Sequence, residues 1–292
     1  MNVAPPPLRE SAEALAAALP PLLARAEALA ATVVLGEHGR RRAGMGDEFW
    51  QYRAAMPGDH ARSIDWRRSA RSDSPFVRER EWQAAQSVAI WVDPGRAMAF
   101  TGAPGRAEKG DRARLVALAL AVLLLRGGER VGLAGPEAVA PRAGRGQLMR
   151  LGAAMLAPEA QDHGAPDLGT LPQGARAVLV SDFLGAAGHV EAAVTAAADR
   201  GITGAILQVL DPVEESFPFG GRTVFESVAG ALRFETRQAD NLRDRYRARL
   251  AERKAALAHI ARHTGWQYGC HHTDAAALTP LIWSYHALER GR

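Results

Sequence analysis

The chain has 292 residues, of which 47% are hydrophobic and 23% are charged. This composition excludes a disordered chain, because the sequence can bury a sizeable core. The length fits either one large domain or two small ones. Arginine supplies almost all of the positive charge behind the net charge of +4. Since the arginines are interleaved with Asp and Glu and do not form a basic stripe, we expect no nucleic-acid partner.

Three features bear on the compartment. The longest apolar run, residues 115–125, is shorter than the roughly 20 residues of a membrane-spanning helix. The N-terminus has no basic segment followed by an apolar stretch, so no signal peptide is visible. Cys270 is the single cysteine and cannot form an internal disulfide, which suits a reducing compartment. Together these features predict a soluble, cytoplasmic protein without a membrane span.

In chain order, residues 8–30 have helical spacing and predict a helix that is broken or restarted at Pro20-Pro21. Residues 36–82 are rich in Gly, Arg, Asp and aromatics and predict an irregular segment. From residue 87 onward, short strand-like runs alternate with helical periods. The predicted strands are 87–93, 131–134, 177–180, 205–210 and 266–270, with a hairpin pairing 223–225 and 232–234 through a turn at Ala229-Gly230. The predicted helices are 107–126, 146–156, 187–199, 238–263 and one from about residue 275.

This alternation predicts an α/β fold with an open, mostly parallel sheet and helices on both faces. We assign the sheet to residues 83–292. The preceding part, residues 1–82, is expected to hold the N-terminal helix and an irregular segment packed on the sheet.

Aspartates follow three of the predicted strands, at Asp93, Asp182 and Asp211. In an open parallel sheet, ligands bind outside the carboxyl ends of the strands. A single aspartate there can equally cap the next helix, whereas two carboxylates close together need a cation or a donor between them. The sequence after Asp93, Pro-Gly-Arg-Ala-Met, is neither a phosphate loop nor a dinucleotide fingerprint. We therefore predict no nucleotide cofactor.

A set of ordered residues between positions 44 and 79 carries a resemblance to a known family. They are Gly44-Met45-Gly46-Asp47-Glu48-Phe49, Tyr52-Arg53, Pro57-Gly58-Asp59, Arg62-Ser63-Ile64-Asp65-Trp66, Ser69-Ala70-Arg71 and Val77-Arg78-Glu79. This block resembles the signature of the domain-of-unknown-function-58 family, and the similarity extends from residue 36 to about 215. It implies a von Willebrand factor A-like, Rossmann-like fold. It also implies a non-catalytic adaptor that works with a MoxR-type AAA+ ATPase in chaperone-like protein remodelling or assembly.

The resemblance further implies a metal-ion-dependent adhesion site, in which the first strand ends in Asp-x-Ser-x-Ser and a later strand supplies another Asp. Asp93 and Asp182 match the aspartates, but Gly95 and Ala97 stand at the serine positions. Because two hydroxyl ligands are missing, we expect no metal and no tight Mg²⁺ site. We expect Arg96 or helix N-terminal amides to offset the carboxylates in its place. The alternative is that Asp93 is a simple cap and Arg96 points to solvent. These five residues are expected to form a partner-binding edge.

Residues 36–82 carry charges of alternating sign among aromatic residues. The charged residues are Asp59, Arg62, Asp65, Arg68 and Arg71, and the aromatic ones are Trp50, Tyr52, Trp66, Phe76 and Trp82. We expect ion pairs with an apolar backing that fasten this segment to the sheet. A partner-docking surface is the alternative, because aromatics and arginines are enriched in binding hot spots. Pro57-Gly58 fits a type II turn.

The remaining candidates are weaker. His271, His272 and Asp274 could suggest a metal site, but adjacent strand residues point to opposite faces, so we expect no shared ion. Cys270 is expected to be a buried structural thiol. The arginines of helix 238–263 are expected to be solvated, with an acidic partner as the alternative. A metal-dependent hydrolase using Asp93 and Asp182 is the alternative function, and it is disfavoured by the missing serines and the lack of a nucleophile motif.

Overall fold

The computed structural model describes residues 8–33, 43–56, 59–60, 64–70, 74–81, 85–157, 161–226, 233–238 and 240–290. The chain forms two compact units. Residues Leu35–Ala85 make up the smaller unit, and residues Met1–Val34 with Gln86–Arg292 make up the larger one. The N-terminal helix therefore belongs to the larger unit, whereas the predicted division grouped it with residues 36–82.

In chain order, the helices are α1 (Leu8–Ala31), α2 (Trp66–Ser69), α3 (Lys109–Arg126), α4 (Gly146–Met155), α5 (Ala187–Asp199), α6 (Pro212–Ser216), α7 (Asp240–Thr264) and α8 (Leu278–Arg290). The strands are β1 (Ala43–Ala54), β2 (Phe76–Glu81), β3 (Ser87–Val92), β4 (Arg130–Leu133), β5 (Val139–Arg142), β6 (Arg176–Ser181), β7 (Thr203–Leu210), β8 (Thr223–Glu226), β9 (Arg233–Thr236) and β10 (Gln267–His272). A short 3-10 turn spans Arg96–Met98.

The larger unit is built on a six-stranded sheet with the order β10-β7-β6-β3-β4-β5. Strands β10, β7, β6, β3 and β4 run parallel, and β5 pairs antiparallel with β4 at the edge. This confirms the predicted mixed α/β fold with a mostly parallel sheet. The chain leaves β3 toward β4 on one side and later returns to β6 on the other. The order therefore reverses between β3 and β6, which is where open α/β sheets bind ligands.

Both faces of this sheet are covered by helices, as predicted. On one face, Trp91, Leu179, Val194, Leu257 and Trp266 belong to one cluster of buried residues. On the other face, α3 packs against the central strands and is itself covered by α1 and α8. Every residue of α3 from 115 to 124 is apolar and buried, which explains the long apolar run near residue 120.

Helix α1 runs without a break through Pro20 and Pro21, so the predicted interruption is wrong. Each proline removes a backbone donor from the helix interior and disfavours continuation. The helix continues because its buried side chains, including Leu19, Leu22 and Ala26, pack on α3 and α4.

The smaller unit contains strands β1 and β2, which pair antiparallel, although the sequence predicts an irregular segment there. Their charged and aromatic residues hide the simple apolar alternation of a half-buried strand. Strand β5 was also missed, because it is only four residues long and contains Pro141, which is tolerated at a sheet edge. Pro57, Gly58, Arg62, Arg71 and the predicted turn at Ala229-Gly230 lie outside the described residues.

A test of this packing uses two glycines of the larger unit. A Cβ at Gly204, in β7, would lie 2.0 Å from the carbonyl oxygen of Ala177. We therefore expect Gly204→Ala to lower the free energy of unfolding by about 3 kcal/mol, because the clash is with backbone. Gly188→Ala, in α5, is the matched control, since a Cβ there meets no described atom within 4 Å. It should stabilise the protein by roughly 0.5 kcal/mol. Equal urea midpoints for both variants would contradict the strand register.

Candidate functional site

The three aspartates that follow strands all lie at the carboxyl edge of the sheet, and all are buried. Each side chain accepts a hydrogen bond from the backbone amide two residues later in the chain. Asp93, Asp182 and Asp211 are 2%, 0% and 0% exposed. Their donors are the amides of Gly95 at 2.8 Å, Leu184 at 2.9 Å and Val213 at 2.9 Å. Each aspartate therefore has the local turn or cap role that the sequence indicates for a single one.

Asp93 is surrounded by protein donors on both carboxylate oxygens. Its Oδ1 accepts from the amides of Gly95 and Gly164, both at 2.8 Å, and its Oδ2 accepts from the Ser181 hydroxyl at 2.6 Å. Burial raises the pKa of Asp93, the three donors act against that rise, and the nearby charge of Asp182 adds to it. Backbone amides, together with the Ser181 hydroxyl, are therefore the donors that stabilise the buried carboxylate of Asp93.

Lys109, at the start of α3, is the buried cation of the site. Its Nζ donates to Asp182 Oδ2 at 2.7 Å and to Glu214 Oε1 at 2.6 Å, and the residue is 1% exposed. We call Lys109, Asp182 and Glu214 the buried ion triad. The ammonium also lies 5.3 Å from the ring centroid of Phe100, within the range of a cation–π contact.

The protonation of the triad follows from burial and charge. Desolvation acts to lower the pKa of Lys109, but the charges of Asp182 and Glu214 outweigh it and raise this pKa above its ordinary value. Lys109 is therefore charged at neutral pH. Burial raises the pKa of Glu214, although the ammonium of Lys109 opposes the rise. One cation is shared between the buried carboxylate of Asp182 and the partly buried carboxylate of Glu214, so the triad depends on that single ammonium.

The sequence predicts that Arg96 or helix N-terminal amides offset the carboxylates, and backbone amides do contact Asp93. Arg96 is exposed, whereas Lys109 makes the buried contact to Asp182. An ammonium is compact enough to lie between two carboxylates that approach from different elements. Among the five residues expected at the partner-binding edge, Asp93, Gly95 and Asp182 are buried. Only Arg96 and the partly exposed Ala97 reach the surface.

The chain segment 161–164 covers the position where the adhesion-site pattern has its first serine. The amides of Arg96 and Ala97 donate to the carbonyl oxygens of Gln161 and Asp162 at 2.9 and 2.8 Å. A Cβ at Gly95 would lie 2.5 Å from the Asp162 oxygen. A serine therefore cannot occupy this position without moving backbone. The residues present do not fit a hydrated Mg²⁺, because a protein ammonium contacts one carboxylate and protein donors surround the other.

His163 joins this edge and was not singled out from the sequence. Its Nδ1 lies 3.9 Å from Asp182 Oδ1, and ligand atoms of Asp93, His163 and Asp182 lie within 4.8 Å of one another. This ring nitrogen is buried and has no hydrogen-bond partner among the described residues. The adjoining cavity is about 10 Å³, roughly the room for one water. No local motif marks His163, because its segment reaches the site through the tertiary fold.

Asp211 fixes the start of α6. Its carboxylate accepts from Gly102, Val213, Arg106 and Thr273, and Glu214 Oε2 accepts from the Asp211 amide to complete a capping box. Desolvation acts to raise the pKa of Asp211, but these donors outweigh it and lower the pKa below its ordinary value. This carboxylate is therefore charged and holds α6 beside the triad.

A concave apolar surface opens next to the triad, with a volume of about 400 Å³. We call it the aromatic pocket, and its lining comprises Phe100, Val213, Glu214, Phe217, Phe219, Leu242, Arg245, Tyr246 and Arg249. Phe217 has a left-handed backbone with φ of 42° at the end of α6, which brings its ring to 4.9 Å from that of Tyr246. Phe100 and Glu214 contact Lys109 and also line the pocket, so the two features are continuous. Arg245 and Arg249 are exposed at its rim.

In the smaller unit, Asp65 is the organising carboxylate. It caps α2 by accepting from the amides of Arg67 and Arg68 and also accepts from the Tyr52 hydroxyl at 2.9 Å. The Arg68 guanidinium lies over the Tyr52 ring at 4.5 Å in a cation–π contact, and the other arginines of the predicted ion pairs, Arg62 and Arg71, lie outside the described residues. Trp66 is 64% exposed, so it does not provide the expected apolar backing.

Residues 270–272 of β10 point alternately to the two faces of the sheet. His271 lies 3.0 Å from Arg112, and burial, followed by the charge of Arg112, lowers the pKa of His271 to about 4. His272 faces the other way, with Nε2 at 3.0 Å from Glu215 Oε2. Cys270 shares the face of His272 and is exposed, so the expectation of a buried thiol is wrong.

Comparison with known sequences gives one family and several relatives. The profile of the family described as "Protein of unknown function DUF58" matches residues 51–256. The chain is similar to the uncharacterized proteins Mb1516 of Mycobacterium bovis and Rv1480 of Mycobacterium tuberculosis, at 28% identity over 282 residues. Each alignment covers 92% of this chain and 88% of the relative.

Comparison with solved structures gives low similarity. BatB from Bacteroides thetaiotaomicron matches with a TM-score of 0.43 and 14% identity, over 71% of this chain and 98% of that chain. An aerotolerance-related membrane protein from Bacteroides fragilis matches with a TM-score of 0.42 and 13% identity, over 70% and 100%. A membrane spanning protein from Vibrio fischeri has a TM-score of 0.20 and 17% identity, over 70% and 98%.

The predicted cytoplasmic location is wrong on these comparisons, because two of the similar structures are described as membrane proteins. The prediction relied on the absence of an apolar run, which concerns a spanning helix and does not determine where a protein resides. Among the described residues, no helix combines the length and the apolarity needed to cross a bilayer.

The first test of the site removes the cation of the triad. We expect Lys109→Met to lower the free energy of unfolding at pH 7 by about 3–5 kcal/mol, because the buried Asp182 and the partly buried Glu214 lose their cation. The loss should shrink between pH 7 and pH 5. Burial raises the pKa of Glu214, and loss of the ammonium removes a charge that opposes this rise, so folding takes up protons and the variant gains stability as pH falls.

Lys254, the second of the two lysines in the sequence, provides the control for Lys109→Met. Lys254 is 27% exposed and pairs with Glu215, so Lys254→Met should cost about 1 kcal/mol or less. Urea unfolding at both pH values measures the difference. An equal loss of unfolding free energy in the two variants would show that the triad stabilises the fold no more than a surface ion pair does.

The second test concerns Mg²⁺. We expect millimolar Mg²⁺ to move the melting temperature of the natural protein by less than about 1 °C, since only ligands that bind the folded state stabilise it. Gly95→Ser should cost about 1–3 kcal/mol through its clash with segment 161–164 and should gain no response to Mg²⁺. Ala97→Ser, at the other serine position, is the control and should be close to neutral. A clear stabilisation by Mg²⁺ that is lost in Asp93→Ala would contradict this description.

Proposed function

The chain belongs to the DUF58 family, whose profile covers residues 51–256 of its 292, and from this premise we propose that it is a non-catalytic protein-interaction module. In this proposal the larger unit is a von Willebrand factor A-like domain with a degenerate metal-ion-dependent adhesion site. The module acts as an adaptor for a MoxR-type AAA+ ATPase in chaperone-like remodelling or assembly of proteins. The observation that carries the proposal is the ammonium of Lys109, buried against Asp182 at 2.7 Å.

A fixed ammonium changes what this edge of the sheet can do. A bound metal ion keeps open positions for waters or for a partner's carboxylate. Lys109 has no such positions, because its Nζ donates to Asp182 and Glu214 and it is 1% exposed. The site therefore supports an edge whose carboxylates are bound by protein groups that hold its elements in place. Recognition of a partner must then use neighbouring exposed residues.

The aromatic pocket is the surface that we assign to the partner. Its lining includes four aromatic residues, among them Phe217, Phe219 and Tyr246, and two exposed arginines. Buried aromatics beside arginine are typical of binding hot spots. The occupant that fits is a segment of the ATPase with an apolar or aromatic side chain flanked by acidic residues. The apolar side chain enters the pocket, and the acidic residues face Arg245 and Arg249.

The alternative is a metal-dependent hydrolase that uses Asp93 and Asp182, and His163 is the observation in its favour. Against it, both oxygens of Asp93 accept from protein donors, and Asp182 accepts from Lys109 and Leu184. The cavity lined by Asp93 and His163 holds about one water, which leaves no room for a substrate. Hydrolytic activity that is lost in His163→Ala would support this alternative over the adaptor.

The adaptor proposal is tested with a purified MoxR-type ATPase. We expect the full-length protein to bind it in at least one nucleotide state, with ATP or with ADP. Arg245→Glu should weaken binding roughly 10-fold, because it places a carboxylate at the rim of the pocket. Arg150→Glu makes the same charge change at an exposed position of α4 and is the matched control, with no expected effect.

Two outcomes count against parts of this proposal. Lack of association in both nucleotide states would remove the adaptor role. Association that is weakened equally by Arg245→Glu and by Arg150→Glu would reflect general charge and would remove the pocket as the docking surface.

A further inference from the structure

We propose that Glu215, Cys270 and His272 form a binding site for a borderline-soft divalent metal ion such as Zn²⁺. Each residue offers one ligand atom, and the three atoms lie within 4.8 Å of one another. His272 Nε2 is 3.0 Å from Glu215 Oε2. This cluster lies outside the buried ion triad, and none of its residues has a role in the proposed adaptor function.

The fold brings these ligands together from two elements. Cys270 and His272 alternate along β10, so they project from the same face of the strand. Strand β10 is at the edge of the sheet and pairs with β7 in a register that sets His272 opposite Leu210. The chain passes from Leu210 through Asp211 directly into α6, which carries Glu215. The register of β10 and the cap of α6 therefore fix the spacing of the cluster.

The donor set selects the class of metal. A thiolate sulfur, an imidazole nitrogen and a carboxylate oxygen are all common ligands of Zn²⁺, whereas Mg²⁺ requires oxygen ligands. Three protein ligands leave one tetrahedral position for water or for a side chain from another protein. His272 Nε2 is buried and makes no hydrogen bond of acceptable geometry to any described residue. A metal ion would satisfy this ring nitrogen.

Lys254, from α7, occupies the same place with its ammonium. Its Nζ contacts Glu215 Oε1, and its charge opposes the rise that burial causes in the pKa of the Cys270 thiol. The Lys254 side chain is 27% exposed and has a flexible stem, so it can move to solvent when a metal ion enters. The ammonium of Lys254 therefore competes with the metal ion for the same ligands, and its removal should raise the affinity for the metal.

Other histidines of the chain provide an internal comparison. His271 faces away from the cluster and lies 3.0 Å from Arg112. His259 and His263 stack on α7 with ring centroids 5.2 Å apart and form the competing pair to which metal could bind adventitiously. A variant of this pair therefore distinguishes the proposed site from binding by surface histidines.

The experiment uses the full-length protein, purified without a histidine tag and stripped of metal. Zn²⁺ affinity is measured by competition with a chromophoric chelator. Co²⁺ is then titrated as a spectroscopic probe of the bond to sulfur. We expect one Zn²⁺ per chain, and we expect Co²⁺ to give the near-ultraviolet absorption of a cobalt–thiolate bond. Cys270→Ser should lower Zn²⁺ affinity by more than about 10-fold, since even the loss of an outer-shell contact costs that much.

Two further variants sharpen the test. Lys254→Met should raise Zn²⁺ affinity roughly 10-fold, because it removes a cation that repels the metal and competes for Glu215 and Cys270. His263→Ala should leave both the affinity and the cobalt spectrum unchanged. Cys270 is exposed, so its replacement should leave the melting temperature of the metal-free protein unchanged.

Several results would overturn the proposal. Equal Zn²⁺ affinity in the natural protein and Cys270→Ser would do so, as would a cobalt spectrum without thiolate absorption. Loss of binding in His263→Ala would assign the metal to the α7 pair. Binding seen only in Lys254→Met would show that the ammonium keeps metal out of the natural protein.

Discussion

The ammonium of Lys109 lies inside the carboxyl edge of the sheet, where it reaches Asp182 at the end of β6 and Glu214 on α6. Three elements that are distant in sequence meet at this one charge. Buried carboxylates are costly unless a cation and hydrogen bonds compensate them, so the positions of α6 and of the turn after β6 depend on the lysine. The aromatic pocket depends on it too, because Phe100 and Glu214 contribute to both features.

The same edge has two parts with different properties. Around Asp93, the segment 161–164 and the backbone amides leave no space for a side chain at Gly95. Beyond Glu214, the surface is open, apolar and flanked by Arg245 and Arg249. A site that binds ligands through a metal needs reachable carboxylates, whereas a docking surface needs an apolar recess with a charged rim. The arrangement favours the second kind of recognition.

The sequence predicted the parallel sheet and the meeting of Asp93 with Asp182, because strand ends are local features and the carboxyl ends of parallel strands share one edge. It did not predict Lys109 as the cation of Asp182, since 15 residues separate Asp93 from Lys109 and no motif marks the contact. One feature of the sequence does distinguish Lys109. In a chain with 36 Lys and Arg residues, Lys109 and Lys254 are the only lysines. Strands β1 and β2 were missed because charged side chains obscure their alternation.

Helix α6 is only five residues long, yet its two consecutive glutamates contact the two lysines of the chain. Glu214 faces inward to Lys109, and Glu215 faces the edge strand and Lys254. Successive side chains of a helix diverge by about 100°, so α6 cannot rotate to improve one contact without withdrawing the other. A shift of α6 that alters one of these contacts therefore alters the other, and the part of the free energy that couples the two contacts is the same in both directions.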